Sequence, residues 1–431
     1  MNRLHLPKNT YYEVKGPVSI KLVEGLLSVL NKPVRPRDVL TIPRSKTLPV
    51  EVIEDSLIEA KLGVEAGIRE LPSSPIPREW NSAAEKVVRS SGWKRIVVLG
   101  DTGSGKTHFC TFLANKFVEG SFRVGILDCD LDQAEIFIPT TIALGLIENF
   151  VTGIDRATLV SSFFVGSISP VGLEGRVVAG VRALLEEAAR LKVDALIVNT
   201  DGWSLGRAAR LLKQGLLASI MPSHLILIQR ETEMEHIARP YEMAHGAEVL
   251  RLPVPPFARL RSKEDEKIER ELAFKAYFSK ARARKFSLNN VGLMYTLFTT
   301  GFELTKERLK EVEEVVGQQV AYGEEGADSI FIVLKKTPSA QIDELAAQLR
   351  ERLKKKEVLI MYPGAERGII VGLLDRSQRM LGLGLIEEID YEGRVINIIT
   401  PVEGEVGFIQ VGQLRLDSEY RGVAEVNGWP L

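Results

Sequence analysis

A chain of 431 residues exceeds what one hydrophobic core usually organises and predicts two or three domains. Its hydrophobic fraction of 45% is that of ordinary globular cores, and its net charge of −1 gives no global positive field to gather nucleic acid. No uncharged apolar run reaches the roughly 18 residues needed to span a bilayer, and the N-terminal stretch lacks the apolar core of a signal peptide, so the expectation is an intracellular protein without a membrane contact.

Residues 1–75 hold short alternating stretches, such as Val-Ser-Ile-Lys-Leu at 18–22 and Val-Glu-Val-Ile at 50–53, punctuated by Gly and Pro, the pattern of a small all-β domain. Pro72, Pro75 and Pro77 cannot continue a strand or helix, which makes a linker and puts a boundary near residue 75. Over 76–285 strands alternate with helical patterns. The apolar strand 95–99 leads into Gly100-Asp101-Thr102-Gly103-Ser104-Gly105-Lys106-Thr107, which fits GxxxxGK[ST] at every fixed position. In such a P-loop the glycines let successive backbone N–H groups and the following helix N-terminus hold nucleotide phosphates. Lys106 reaches the β- and γ-phosphates as a point charge, and the Thr107 hydroxyl ligates Mg²⁺.

A helix is expected over 106–117, then a strand over 124–128, a helix over 173–191, and strands over 195–199 and 225–228. These strands are apolar throughout, which suits a parallel sheet covered on both faces, with ligands beyond the strands' carboxyl ends. The two cysteines, Cys110 and Cys129, fall in the first of these helices and at a strand end, and read as small buried residues. Past strand 124–128 come Asp128, Asp130 and Asp132, whose mutual repulsion asks for a metal or a cationic ligand. Two roles are open there: a carboxylate in the Mg²⁺ shell, and a base for an attacking hydroxyl. Past strand 195–199 comes Thr200-Asp201-Gly202-Trp203, where glycine permits close approach and the indole offers a stacking surface.

Residues 259–285 carry ten Lys or Arg against five Asp or Glu, opening a helix after Pro255 and Pro256. Two readings stay open: a helix that brings Arg onto a transferring phosphoryl group, or a solvated helix laced with Glu/Lys pairs. Residues 286–431 change texture, with alternating strands at 293–298 and 395–399 and an amphipathic segment at 339–353, a separate α+β or mostly β domain.

In this order the motifs resemble the polynucleotide 5′-hydroxyl-kinases, the family of the RNA kinase subunit of pre-mRNA cleavage factor II, the nucleolar pre-rRNA processing kinase and their archaeal relatives. The P-loop, the acidic element from Asp128 to Gln133, the clasp Thr200-Asp201-Gly202-Trp203, and a lid opening Arg261-Ser262-Lys263 and running to Tyr277-Phe278 carry the resemblance. It implies an α/β P-loop NTPase core with a parallel sheet, flanked by an N-terminal β domain (1–75) and a C-terminal domain (286–431). It also implies ATP and Mg²⁺ as cofactors, RNA 5′-hydroxyl ends as substrate with single-stranded DNA left open, and RNA-processing proteins as partners. By the same resemblance Lys106, Asp130 as base and Arg261 are catalytic, Thr107 and Asp128 serve the metal, and Gln133, Thr200, Gly202 and Trp203 hold the polynucleotide. Two positions depart from the family pattern: Asp132 stands where it has Gly, and Glu266 stands at a basic lid position, which leaves Lys267 or Arg270 to serve. Other readings are an ATP-bound scaffold of an RNA-processing assembly, a P-loop switch acting on proteins, and a small-molecule nucleoside kinase.

Overall fold

The computed structural model describes every residue except Met1, Ser45, His245, 258–261 and Asn427, and all described side chains except those of Val423 and Ala424. The chain falls into two compact units, Met1–Phe163 with Ser169–Arg270, and Phe164–Ile168 with Glu271–Leu431. Among the described residues no helix is long and apolar enough to cross a membrane.

The first unit begins with a seven-stranded sheet built on the long strand Thr47–Leu62, which pairs antiparallel with Asn2–Leu6, Tyr11–Lys15 and Val18–Val29. Leu48, Val50 and Val52, then Ile58 and Ala60, alternate inward along it, so one face is apolar by the two-residue period of a strand. The register against Val18–Val29 shifts around Gly25, whose φ is +90°, and a Cβ there would lie 2.3 Å from the Asp55 carbonyl oxygen. Only glycine fits that bulge. The apolar face shares one continuous hydrophobic cluster with the rest of the unit, from Leu6, Val14 and Val50 through Trp80 and Phe112 to Val124 and Ile228.

The second sheet of this unit orders its strands Thr158–Phe164, Thr141–Ile147, Val124–Asp128, Ala195–Asn199, Lys94–Gly100, His224–Gln229 and Glu248–Pro253. The five from Val124–Asp128 to Glu248–Pro253 are parallel, as their unbroken apolar character predicts. Thr141–Ile147 runs antiparallel to Val124–Asp128, so the sheet is mixed rather than wholly parallel. Its residues are as apolar as those of the central strands, and nothing in composition marks the reversal of direction. Helices Glu174–Arg190 and Arg207–Ile220 each bury an apolar stripe in this unit, whereas Lys106–Glu119 is buried on nearly every side, from Phe109 to Asn115 and again at Phe117. Gly100, Asp128 and Asn199 stand at the carboxyl ends of three adjacent parallel strands, with Asn199 in register with both Asp128 and Val98.

The second unit contains a seven-stranded sheet, in which Ile369–Leu374 pairs antiparallel with Met380–Asp390 and with Phe408–Leu416, and a four-stranded sheet. Helices Lys306–Val316 and Ile342–Leu353 share a hydrophobic cluster with the four-stranded sheet, Leu345, Leu349 and Leu353 facing inward as the amphipathic pattern at 339–353 predicts. The strand expected over 293–298 is only Gly292–Met294. Tyr295, at φ +63°, turns the chain, and the Thr296 hydroxyl and Leu297 N–H then donate to the Leu431 carbonyl.

Asn115, on the helix after the P-loop, ties the first unit together: its Nδ2 donates to the Leu30 and Val151 carbonyls, and its Oδ1 accepts from the Val151 N–H. Asn115→Ala orphans these buried groups, and at about 1–3 kcal/mol for each one left without a partner it is expected to move the urea midpoint of this unit clearly downward. An unchanged midpoint would show that the tie contributes nothing.

Candidate active site

The P-loop shape follows from its glycines. A Cβ on Gly100 would lie 2.5 Å from Ser104 Oγ and 2.6 Å from the Ile228 carbonyl oxygen, while Gly103 and Gly105 take the left-handed φ values +71° and +95°. Gly105 caps the helix Lys106–Glu119, so the helix N-terminus opens into the loop. Lys106 is buried, its Nζ donating to the Gly100 carbonyl at 2.8 Å and the Asp101 carbonyl at 2.9 Å, and burial lowers its pKa against the raising effect of Asp130. Ser104 Oγ is buried without a hydrogen-bond partner among the described residues. An orphaned hydroxyl beside a helix N-terminus and a buried ammonium fit a polyphosphate.

Asp128 is buried at the end of its strand. Its Oδ1 accepts from Asn199 Nδ2 at 3.0 Å and the Asp130 N–H at 3.4 Å, and its Oδ2 accepts from the Glu135 N–H at 2.7 Å and the Ile136 N–H at 3.4 Å. Both oxygens of the carboxylate expected to serve the metal thus hold protein. Burial, helped by Asp130, pushes its pKa up to about 7. Asp130 is half-buried; its Oδ1 accepts from the N–H groups of Asp132 and Gln133, at 3.2 and 2.9 Å, and burial raises its pKa to about 6. Among the described residues no three His, Cys, Asp or Glu side chains gather as a metal cage. The donor set is therefore sparse, the Thr107 hydroxyl and the acidic loop, which fits a Mg²⁺ whose remaining ligands are phosphate oxygens and water. Cys110 and Cys129 are buried, with their thiol pKa values pushed up by burial, in keeping with a packing role.

The loop after Ala195–Asn199 lies against the P-loop. Thr200 Oγ1 donates to the Val98 carbonyl at 2.8 Å, and Ser204 Oγ donates to Asp101 Oδ1. A Cβ on Gly202 would lie 2.3 Å from Thr102 Oγ1 and 2.6 Å from the Thr102 N, so this glycine is needed for close approach. Asp201 Oδ1 accepts from the Trp203 N–H at 2.7 Å, and the indole of Trp203 is half-buried. The close approach of Gly202 to Thr102 has no mark in the spacing of the motifs. No motif marks Asn199, Ser204 or Lys213, although Lys213 leaves a signal as a charge on the apolar stripe of its helix.

In the basic segment, Arg261 lies outside the described residues. Ser262 caps the helix Lys263–Phe278, its Oγ accepting from the Asp265 N–H at 3.1 Å, and Lys267 is exposed. Gln133 Nε2 donates to Glu266 Oε1 at 2.9 Å, and Arg270 pairs with Asp132. The two positions that depart from the family pattern, Asp132 and Glu266, therefore each bind the helix to the acidic loop. Gln133 and Arg270, both expected to hold polynucleotide, are the other members of those pairs.

Residues 100–280 match the family model described as mRNA cleavage and polyadenylation factor CLP1 P-loop. The polyribonucleotide 5′-hydroxyl-kinase of Methanocaldococcus jannaschii is 28% identical over 349 residues, covering 80% of this chain and 93% of that protein. That of Pyrococcus abyssi is 26% identical over 358 residues, covering 82% and 97%. The solved wild-type Clp1p–Pcf11p complex contains the same fold, with a TM-score of 0.64 at 12% identity over 96% of this chain and 97% of that one.

Two outcomes follow from this geometry. Asp130 is ordinarily 3.8 and is raised to about 6, so the folded state binds a proton that the unfolded state has lost, and stability falls as pH rises across that interval. In chelator, Asp130→Asn removes this loss, so its melting temperature is expected to exceed wild type at about pH 8 and the gap to close near pH 4; a gap independent of pH would contradict the raised pKa. Gly202→Ala drives a methyl into Thr102, and the resulting overpacking of about 1–3 kcal/mol is expected to weaken nucleoside triphosphate binding in a calorimetric titration, whereas unchanged affinity would mean the two loops separate freely.

Proposed function

We propose that this chain is a Clp1-type P-loop polynucleotide 5′-hydroxyl-kinase and transfers the γ-phosphoryl group of ATP to the 5′-hydroxyl end of RNA. The observation that carries the reading is the meeting of three elements at neighbouring strand ends: the P-loop with Lys106, the Asp130 carboxylate, and the Trp203 loop pressed onto Thr102 through Gly202.

The residues divide the work as follows. The backbone of residues 100–107 and the helix N-terminus hold the triphosphate, and Lys106 places positive charge on its β,γ end. Bound Mg²⁺, held by Thr107 and phosphate oxygens, would neutralise charge on the triphosphate. Asp128, its oxygens held by Asn199 and the loop amides, orders the acidic loop from behind. Asp130, with a pKa near 6, is ionised at neutral pH yet basic enough to accept the proton of the RNA 5′-hydroxyl. As that proton moves to Asp130, the 5′-oxygen forms a bond to the γ-phosphorus, the bond from γ-phosphorus to the bridging oxygen breaks, and ADP leaves. Arg261 and Lys106 stabilise the charge on the transferring group. Trp203 stacks on a terminal base, which is tolerant of sequence. Thr200, whose hydroxyl holds Val98, contributes through its backbone rather than its side chain. Gln133 meets the RNA from the acidic loop and Lys267 and Arg270 meet it from the lid helix, Gln133 and Arg270 by exchanging their bonds to Glu266 and Asp132.

The test is transfer of labelled γ-phosphate to a 5′-hydroxyl RNA oligonucleotide by wild type and three variants. Lys106→Ala and Asp130→Asn are expected to lose transfer by at least about a hundredfold, the scale of general-base catalysis, while Trp203→Ala raises KM for RNA and leaves KM for ATP unchanged. Retained turnover in Lys106→Ala would overturn the assignment.

A further inference from the structure

We infer that Lys213 is a positioning residue for the polynucleotide end, holding the Trp203 loop against the P-loop through Asp201; this rests on the kinase reading above. Lys213 lies on the helix Arg207–Ile220, whose buried face is formed by Ala209, Leu212, Leu216, Leu217 and Ile220. A leucine at 213 would complete that stripe. Instead a lysine with 2% side-chain exposure sends its Nζ to Asp201 Oδ2 at 2.7 Å and to the Asp201 carbonyl at 3.2 Å.

Burying an ion pair is unfavourable unless both charges are well bonded, and an apolar pair of similar volume often serves stability as well or better. Lys213 therefore needs a reason other than packing, and its partners supply one. By gripping both the side chain and the backbone of Asp201, the ammonium fixes the carboxylate orientation. The other oxygen, Asp201 Oδ1, accepts from the Trp203 N–H, so the direction in which the chain presents the indole depends on the pair. Gly202, between them, rests on Thr102, and Ser204, the next residue after Trp203, donates to Asp101. One ammonium beneath the loop thus sets a span of residues whose outer side faces the phosphate loop. Lys213 touches neither nucleotide nor polynucleotide in this account; it acts through Asp201.

The full-length chain tests this with Lys213→Met and with the double variant Lys213→Met/Asp201→Asn, assayed for steady-state transfer to a 5′-hydroxyl RNA oligonucleotide and for thermal stability. Lys213→Met is expected to raise KM for RNA by about 5- to 100-fold, the range spanned by losing one stacked base, with KM for ATP unchanged. The double variant no longer buries an uncompensated charge, so it is expected to regain the wild-type melting temperature while KM for RNA stays raised. Recovery of both together would show that Lys213 only neutralises Asp201 and would overturn the inference, as would an equal rise in both KM values. If Lys213→Met fails to fold, the double variant decides alone. Absence of transfer by wild type would remove the kinase reading without touching the geometry. The Trp203 emission, isolated by subtracting the spectrum of Trp203→Phe, then reports it, and an emission unchanged by the double variant would overturn the inference.

Discussion

Asp128 is the constraint on which the rest of the site depends. A carboxylate buried at a strand end is unfavourable unless donors surround it, and four do: Asn199 from the neighbouring strand and the amides of Asp130, Glu135 and Ile136 from the loop that follows. Meeting that requirement curls the loop, and the curl brings Asp130 within electrostatic reach of Lys106. The bond from Asn199 also fixes the end of the strand that leads to Thr200 and Trp203. The constraint extends outward, since Glu135 also pairs with Lys46, which in turn pairs with Asp155. A loop of the N-terminal sheet is thereby joined to the loop that carries the acids.

The same loop meets the helix Lys263–Phe278 through two pairs, Gln133 with Glu266 and Asp132 with Arg270. Viewed one at a time, an extra carboxylate near an anionic substrate and a glutamate in a basic segment both oppose phosphoryl transfer. Viewed together they are complementary: the charge of Asp132 is offset by Arg270, and Glu266 accepts a bond from the Gln133 amide. The two residues thus bear on how the helix meets the acidic loop.

Much of this was legible in the sequence because it is local. The P-loop is a continuous motif, and the strands Val124–Asp128 and Ala195–Asn199 are uninterrupted apolar runs ending in polar residues, so their limits could be read directly. What could not be read depends on contacts distant in sequence. The antiparallel direction of Thr141–Ile147 has no compositional mark. The early end of the strand at Met294 is set by a turn at Tyr295 and by bonds to the carbonyl of Leu431, more than a hundred residues away. The pairing of Arg270 with Asp132 links positions 138 apart. Lys213 lies between these cases: a lysine at a leucine position of an amphipathic helix is visible in the sequence, but its partner is not.

The central claim is that this cluster moves a phosphoryl group between two molecules rather than spending ATP on water. The direct measurement is the fate of the γ-phosphate: after incubation with γ-labelled ATP and 5′-hydroxyl RNA, the RNA is digested to nucleotides and the label is located. The account predicts label in the 5′-terminal nucleoside as its 5′-phosphate, with little inorganic phosphate. Label recovered only as inorganic phosphate, or retained in protein-bound ATP with the RNA end unmodified, would contradict it.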